Sequence, residues 1–164
     1  MLTSSIDALD ARLLTLLRDE PRIGLMEASR RLGVARGTVQ ARLAKLEDRG
    51  VVKGFGPEVE PARMGYPVLA FVFLQIAQGR LSEAVSVLRS TPEVLEATAT
   101  SGPSDLLCRI VAQDTEHLQE IVNRMLSNNA IRRSTSYIAL SQQIPFRTGP
   151  LVDAAGNGAD PAPA

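Results

Sequence analysis

The chain lacks net charge: its 18 lysines and arginines are balanced by 18 aspartates and glutamates. Taken alone, that balance argues against a polyanionic partner such as nucleic acid. Cysteine is almost absent. A lone Cys108 excludes an internal disulfide framework and any cysteine-based zinc finger. Histidine is as scarce: His117 sits early on an amphipathic stretch, without cysteine or acidic partners at ligand spacing, so no metal site and no cofactor are expected. No run of 18 apolar residues occurs, so no membrane span is expected. The start, MLTSSIDALDARLL, has neither the basic opening nor the long apolar core of a signal peptide. A soluble, cytoplasmic protein is expected, with one ordinary domain or two small ones in 164 residues.

The distribution of charge reverses the first impression. Between Arg22 and Lys53 there are eight basic residues against three acids (Glu27, Glu47, Asp48), and the rest of the chain is net acidic. Screening in the cell confines charge effects to roughly 8 Å, so a local excess matters more than the total.

That excess falls on ASRRLGVARGTVQARLAKL, Ala28 to Leu46. Ala28 and Leu32 are four apart on one helix; Val39, Leu43 and Leu46 fall at i, i+4, i+7 on the next. Gly33 stands between them, where a left-handed residue suits glycine. The spacing predicts a helix-turn-helix. Its second helix turns Arg36, Thr38, Gln40, Arg42 and Lys45 mostly away from the apolar stripe. Donor-rich side chains on one rigid rod suit double-stranded DNA: Arg36, Gln40 and Arg42 for base edges, Arg31 and Lys45 for phosphates, Thr38 for either, and Gly37 for close approach of the backbone. The competing account of these residues is a solvated helix face.

Ahead of the motif, Asp7 is a good N-cap, Asp10 adds charge in the first turn, and Leu9, Leu13, Leu16 and Leu17 form a stripe closed by Pro21. After it, Gly50 ends the run and Val51 to Phe55 reads as a short strand, suggesting a winged variant. Domain limits follow: 1–55 for DNA binding and 56–67, GPEVEPARMGYP, as a linker with one short turn at Ala62 to Met64.

The rhythm then changes. Val68 to Ile76 is an almost unbroken apolar strand; Leu81, Ala84, Val85 and Leu88 mark a helix; Val94 to Thr100 and Leu106 to Val111 are strands around the turn SGPSD. Asp114 caps a helix with its stripe at Leu118, Ile121, Val122 and Met125, and Arg132 to Leu140 is the last strand. The order βαββαβ over 68–145 is the ferredoxin-like arrangement, making the fold class α+β. Because Val68 to Leu74 does not alternate, both sheet faces should be covered, one by helices and the other by a second copy of the chain. Cys108 is expected to be an inert core residue. Residues 146–164, rich in Gly, Ala and Pro, are expected to be a disordered tail.

These pieces together resemble the Lrp/AsnC (feast/famine) family of regulators over roughly residues 6–142. The carriers are Ile6, Asp7, Leu9, Asp10, Arg12, Leu13 and Leu14, then LGVARGTVQARLAKLEDRGVVKGF (Leu32 to Phe55), then SGPSDLLCRIV (Ser101 to Val111). The resemblance implies a transcription regulator, not an enzyme, forming a homodimer that assembles to tetramers or octamers. Its C-terminal RAM or ACT-like domain would bind an amino acid or similar small effector. It would place Ser101, Gly102, Pro103, Ser104 and Asp105 at the effector, with backbone N–H groups for a carboxylate and Asp105 for an α-ammonium; Tyr137 is a further candidate. The competing account of the turn is a hairpin that simply needs glycine's geometry. Ala35 and Gly24 stand where the family often has capping serines, and Ser104 where it often has an aromatic. Two alternatives share the architecture: a sirohaem decarboxylase, and an architectural DNA binder without effector.

Overall fold

The computed structural model describes residues 6–156. The chain forms two compact units, and one of them is discontinuous: residues up to Pro57 join the segment from Ile144 onward, while Glu58–Gln143 make the other.

The first unit opens with α1 (Ala8–Asp19), capped as expected by Asp7. Its cap is a reciprocal box: the Asp10 N–H donates to Asp7 Oδ1 at 2.8 Å and the Asp7 N–H to Asp10 Oδ2 at 3.3 Å. Helix α2 (Leu25–Leu32) ends at Gly33, which is left-handed at φ 69°, and α3 (Arg36–Asp48) follows. The corner is closed by the Val34 N–H donating to the Ser29 carbonyl at 3.1 Å, a Schellman-type bond that satisfies an orphan carbonyl of α2. Leu13, Ala28, Leu32, Val39 and Leu46 are buried together, with Leu9, Leu16, Ile23, Leu43 and Val52 packed around them.

Two expectations are corrected here. Residues 51–55 form no strand; among the described residues nothing pairs with them. Instead the N–H groups of Val51 and Val52 both donate to the Leu46 carbonyl, and Val52 packs into the helical core. The residues that look like β are spent on closing α3. The expected disordered tail also begins too early: Gly149–Gly156 form a helix, α6, that packs on α1. The helix approaches closely because it is glycine at both ends: a Cβ at Gly156 would collide with the Ala11 methyl, and one at Gly149 with the Arg18 guanidinium. Residues 157–164 of the expected tail lie outside the described residues.

In the second unit a single 3-10 turn at Pro61–Met64 precedes β1 (Val68–Ile76). Then come α4 (Leu81–Arg89), β2 (Val94–Ala99), β3 (Leu106–Ala112), α5 (Thr115–Leu126) and β4 (Ile131–Ile138). All pairs are antiparallel, in the order β2-β3-β1-β4, so the ferredoxin-like topology is as expected. One face of the sheet buries Ala70, Val72, Leu74, Leu106, Cys108 and Ile110 against Ala84, Leu88, Leu118, Ile121 and Met125 of the helices. Cys108 is fully buried, and burial pushes its thiol up to about 11.

The other face of the sheet is not so covered. Phe71 and Tyr137, paired across β1 and β4, are 39% and 59% exposed. Tyr137 meets the half-buried Phe73 edge-on at 5.7 Å. Beside them Arg109, opposite Phe71 on β3, has a buried Nε without a hydrogen-bond partner among the described residues.

Candidate functional site

Helix α3 carries the residues singled out for DNA. Val39 and Leu46 hold it down; Arg36, Gly37, Thr38, Gln40 and Lys45 are all exposed. No ion pair among the described residues engages Arg36 or Lys45. The N-cap of α3 is Ala35, whose side chain supplies no capping bond. The carbonyl of Ala35 does accept from the Thr38 and Val39 N–H groups, at 3.0 and 3.2 Å. The N-terminus of α3 therefore points uncapped donors outward beside Arg36 and Gly37.

Two of the expected contacts are otherwise engaged. Arg31 pairs with Glu20 and with Glu27, at 3.0 Å in the latter case, and its pKa is raised by those hydrogen bonds. Glu27 in turn also holds Arg30 at 2.8 Å, and the two arginines bring its carboxyl down to about 2. Arg42 turns back from α3 to α1: its Nη1 donates to Asp7 Oδ2 and, at 2.9 Å, to Asp10 Oδ1. The Asp7 carboxyl is accordingly held below its ordinary value, first by Arg42 and then by the Asp10 N–H. Asp7 and Asp10 were legible as a helix start; their second role as partners of a guanidinium more than 30 residues away was not. Arg12 is similar: its Nη2 donates to the Leu32 carbonyl at 3.2 Å, tying α1 to the end of α2.

In the second unit the turn from Ser101 to Asp105 joins β2 and β3. Gly102 sits at φ 130°, a conformation that L side chains rarely adopt. The turn is anchored on both sides. The Thr100 hydroxyl donates to the Ser104 carbonyl at 2.8 Å, and Gln75 Nε2 to the Pro103 carbonyl at 3.0 Å. Asp105 is anchored twice over. Its N–H donates to the Leu74 carbonyl at 2.9 Å, and its Oδ2 accepts from the Ile76 N–H at 2.7 Å, where the β1–β4 register shifts. One oxygen of the carboxylate thus already serves the end of β1. Ser101, Gly102 and Pro103 are exposed around it. Tyr137 is not brought to this turn within one protomer: it lies opposite Phe71, three residues from Leu74, which is about 10 Å along the strand.

The remaining expectations concern metals and membranes. No group of three or more metal-ligating side chains exists among the described residues. His117 faces Glu93 at 3.5 Å, and its Nδ1 accepts from the Gln113 N–H at 3.2 Å. None of the described helices is long and apolar enough to cross a membrane.

Comparison with known proteins covers both units. A family model described as winged helix-turn-helix DNA-binding matches residues 6–53, and one described as the Lrp/AsnC ligand binding domain matches residues 69–148. The chain is 29% identical over 135 residues to the HTH-type transcriptional regulator FL11 of Pyrococcus furiosus, covering 82% of this chain and 89% of that one. It is 30% identical over 113 residues to an HTH-type transcriptional regulator of Methanocaldococcus jannaschii, covering 69% and 76%. The solved structure of E. coli AsnC superposes with a TM-score of 0.81 at 26% identity, over 88% of this chain and 99% of that one.

Proposed function

Because the chain belongs to the Lrp/AsnC family of transcriptional regulators, we propose that it is a sequence-specific, effector-responsive regulator acting as a dimer or larger assembly. The observation that carries the reading is α3: Arg36, Thr38, Gln40 and Lys45 stand exposed on a helix whose opposite side is locked into a packed three-helix unit. In a major groove, Arg36 and Gln40 would meet base edges and Lys45 a phosphate, with Gly37 letting the backbone come close. Thr38 serves either purpose. Arg31 approaches DNA only as part of its cluster with Glu20 and Glu27, so its contribution is to phosphates.

Two half-sites about one helical turn apart, or a multiple of that, require two copies. The open sheet face supplies the means. Phe71, Phe73 and Tyr137 form an apolar patch, and the buried Arg109 Nε beside it finds no hydrogen-bond partner among the described residues. A second copy provides the cover, which gives Tyr137 a role in association.

The ligand is proposed at Ser101, Gly102, Pro103, Ser104 and Asp105. The anchored turn offers N–H groups for a carboxylate, and Asp105 offers charge for an ammonium group. An amino acid or a similar small zwitterion fits that pair.

The experiment is fluorescence anisotropy on the duplex upstream of its own gene, titrated with salt and with each common amino acid. Salt-sensitive binding that one amino acid shifts, and that Asp105→Ala makes indifferent to it, is the expected result. Binding unchanged by every amino acid would leave an architectural DNA binder. No binding to DNA at all would refute the reading of α3.

A further inference from the structure

We propose that Arg42 is a positioning residue for DNA recognition: it fixes α3 against α1 through both carboxylates of the α1 capping box and does not itself touch DNA. The proposal rests on α3 being the DNA-reading helix.

Three observations converge on it. First, the partners are unequal in exposure: the Asp10 side chain is 9% exposed, while Asp7 stands at the surface. Arg42 could reach a base only by giving up both bonds, and that would strand a buried carboxylate without its cation. Second, Asp7, Gly37, Thr38, Ala41, Arg42 and Lys45 line one shallow groove along α3. An Asp7 left without its arginine would present bare negative charge in the groove that must accept phosphates. Third, Arg36 and Lys45 lie on the same helix with no ion pair among the described residues, so the cations available to DNA are already there.

The physical consequence is a division of labour on one helix. Arg36, Thr38, Gln40 and Lys45 meet the duplex; Arg42 sets the angle at which they meet it. Asp7 and Asp10 serve twice, capping α1 and holding α3, so the start of the first helix and the pose of the third are one mechanical unit. Discrimination between sequences depends on side chains being held within a fraction of an ångström of the base edges, whereas non-specific attraction depends only on charge near the backbone.

The test uses the full chain, an operator duplex selected by the wild-type protein from a random pool, and a scrambled duplex of the same length. Arg42→Gln, Asp7→Asn and the charge-conserving double variant are compared at a temperature where melting curves show each fully folded. Positioning predicts that all three lower the operator-to-scrambled preference by a similar factor, about three- to tenfold, without adding up in the double variant. The salt dependence of scrambled-duplex binding keeps its wild-type slope, and Arg42→Lys restores part of the preference. A purely structural role would lower the melting temperature and leave the preference of the folded variants unchanged, which overturns the proposal. So would a DNA contact, and its signature is opposite. Asp7→Asn would then free the arginine and raise the preference, or Arg42→Gln would cut the salt slope by about one. A wild-type protein that selects no sequence would sink the reading of α3 itself, and the positioning role with it. That outcome is distinguished by appearing before any variant is made.

Discussion

Replacing Gly33 by alanine tests the corner of the helix-turn-helix with a single methyl group. The residue is left-handed, at φ 69° and ψ 33°. A Cβ built there would meet nothing within 4 Å. Steric collision is therefore excluded, and only the backbone conformation remains to be paid for. For an L-residue the left-handed region costs roughly 1–2 kcal/mol. Loss of glycine's freedom in the unfolded chain returns about 0.4–1 kcal/mol. The net expectation is about 1 kcal/mol of destabilisation, or about 4–8 °C in Tm for a domain of 60–100 residues. Asparagine, which tolerates this region, should fall between glycine and alanine. The assay is calorimetry of the full chain, which separates a shift in the helical unit from one in the sheet unit. DNA affinity measured well below the transition should stay at the wild-type value, because the corner keeps its geometry. A variant as stable as wild type would refute the conformational argument. A loss above about 3 kcal/mol would show a packing defect in space that the structure leaves open.

Other expectations concern the last helix, the buried thiol and the acidic limb of stability. Gly156→Ala should loosen α6, since the new methyl meets the fixed Ala11 Cβ, at a cost of about 1–3 kcal/mol typical of overpacking. Gly149→Ala should be nearly neutral because only the flexible end of Arg18 has to move; paired melting curves check the contrast. Cys108, with its thiol raised to about 11, should resist a thiol reagent at pH 8 until the sheet unit is unfolded; rapid native labelling would contradict its burial. Glu27 is ionised down to about 2 in the folded chain against 4.5 ordinarily. A depressed carboxyl pKa stabilises above the unfolded value and loses that contribution as pH falls through the folded one. Glu27→Gln should therefore flatten the stability curve between about pH 4.5 and 2, by a small amount because the cluster is exposed.

What the sequence revealed and what it concealed divide along physical lines. Gly33, Asp7 and the strand at Val68–Ile76 were legible because each is a local choice: a φ value, a cap, a run of β-forming residues. The pairing of Arg42 with Asp7 and Asp10 was not legible, because helix periodicity shows only which side a residue leaves from. A long flexible side chain can bend back to a partner that only tertiary packing supplies. Val51–Phe55 has strand composition, yet a strand needs a neighbour, and Val52 had a better use in the helical core. Gly149–Gly156 failed for the opposite reason. Small residues that look like disorder are what let α6 lie close against Ala11. The neighbours of Tyr137 depend on strand register, which the sequence does not show: β4 on β1 sets it opposite Phe71.

The discontinuous DNA-binding unit has a consequence for the order in which the protein is made. A ribosome releases α1, α2 and α3 first, then the whole sheet unit, and only then the residues of α6. At ordinary synthesis rates the gap between Pro57 and Ile144 lasts roughly 4–17 s. Throughout that interval the sheet unit is still being made, and the outer side of α1 waits for its cover. The unit that reads DNA is thus begun first and finished last, and a nascent chain released early would carry a recognition helix on an unfinished support.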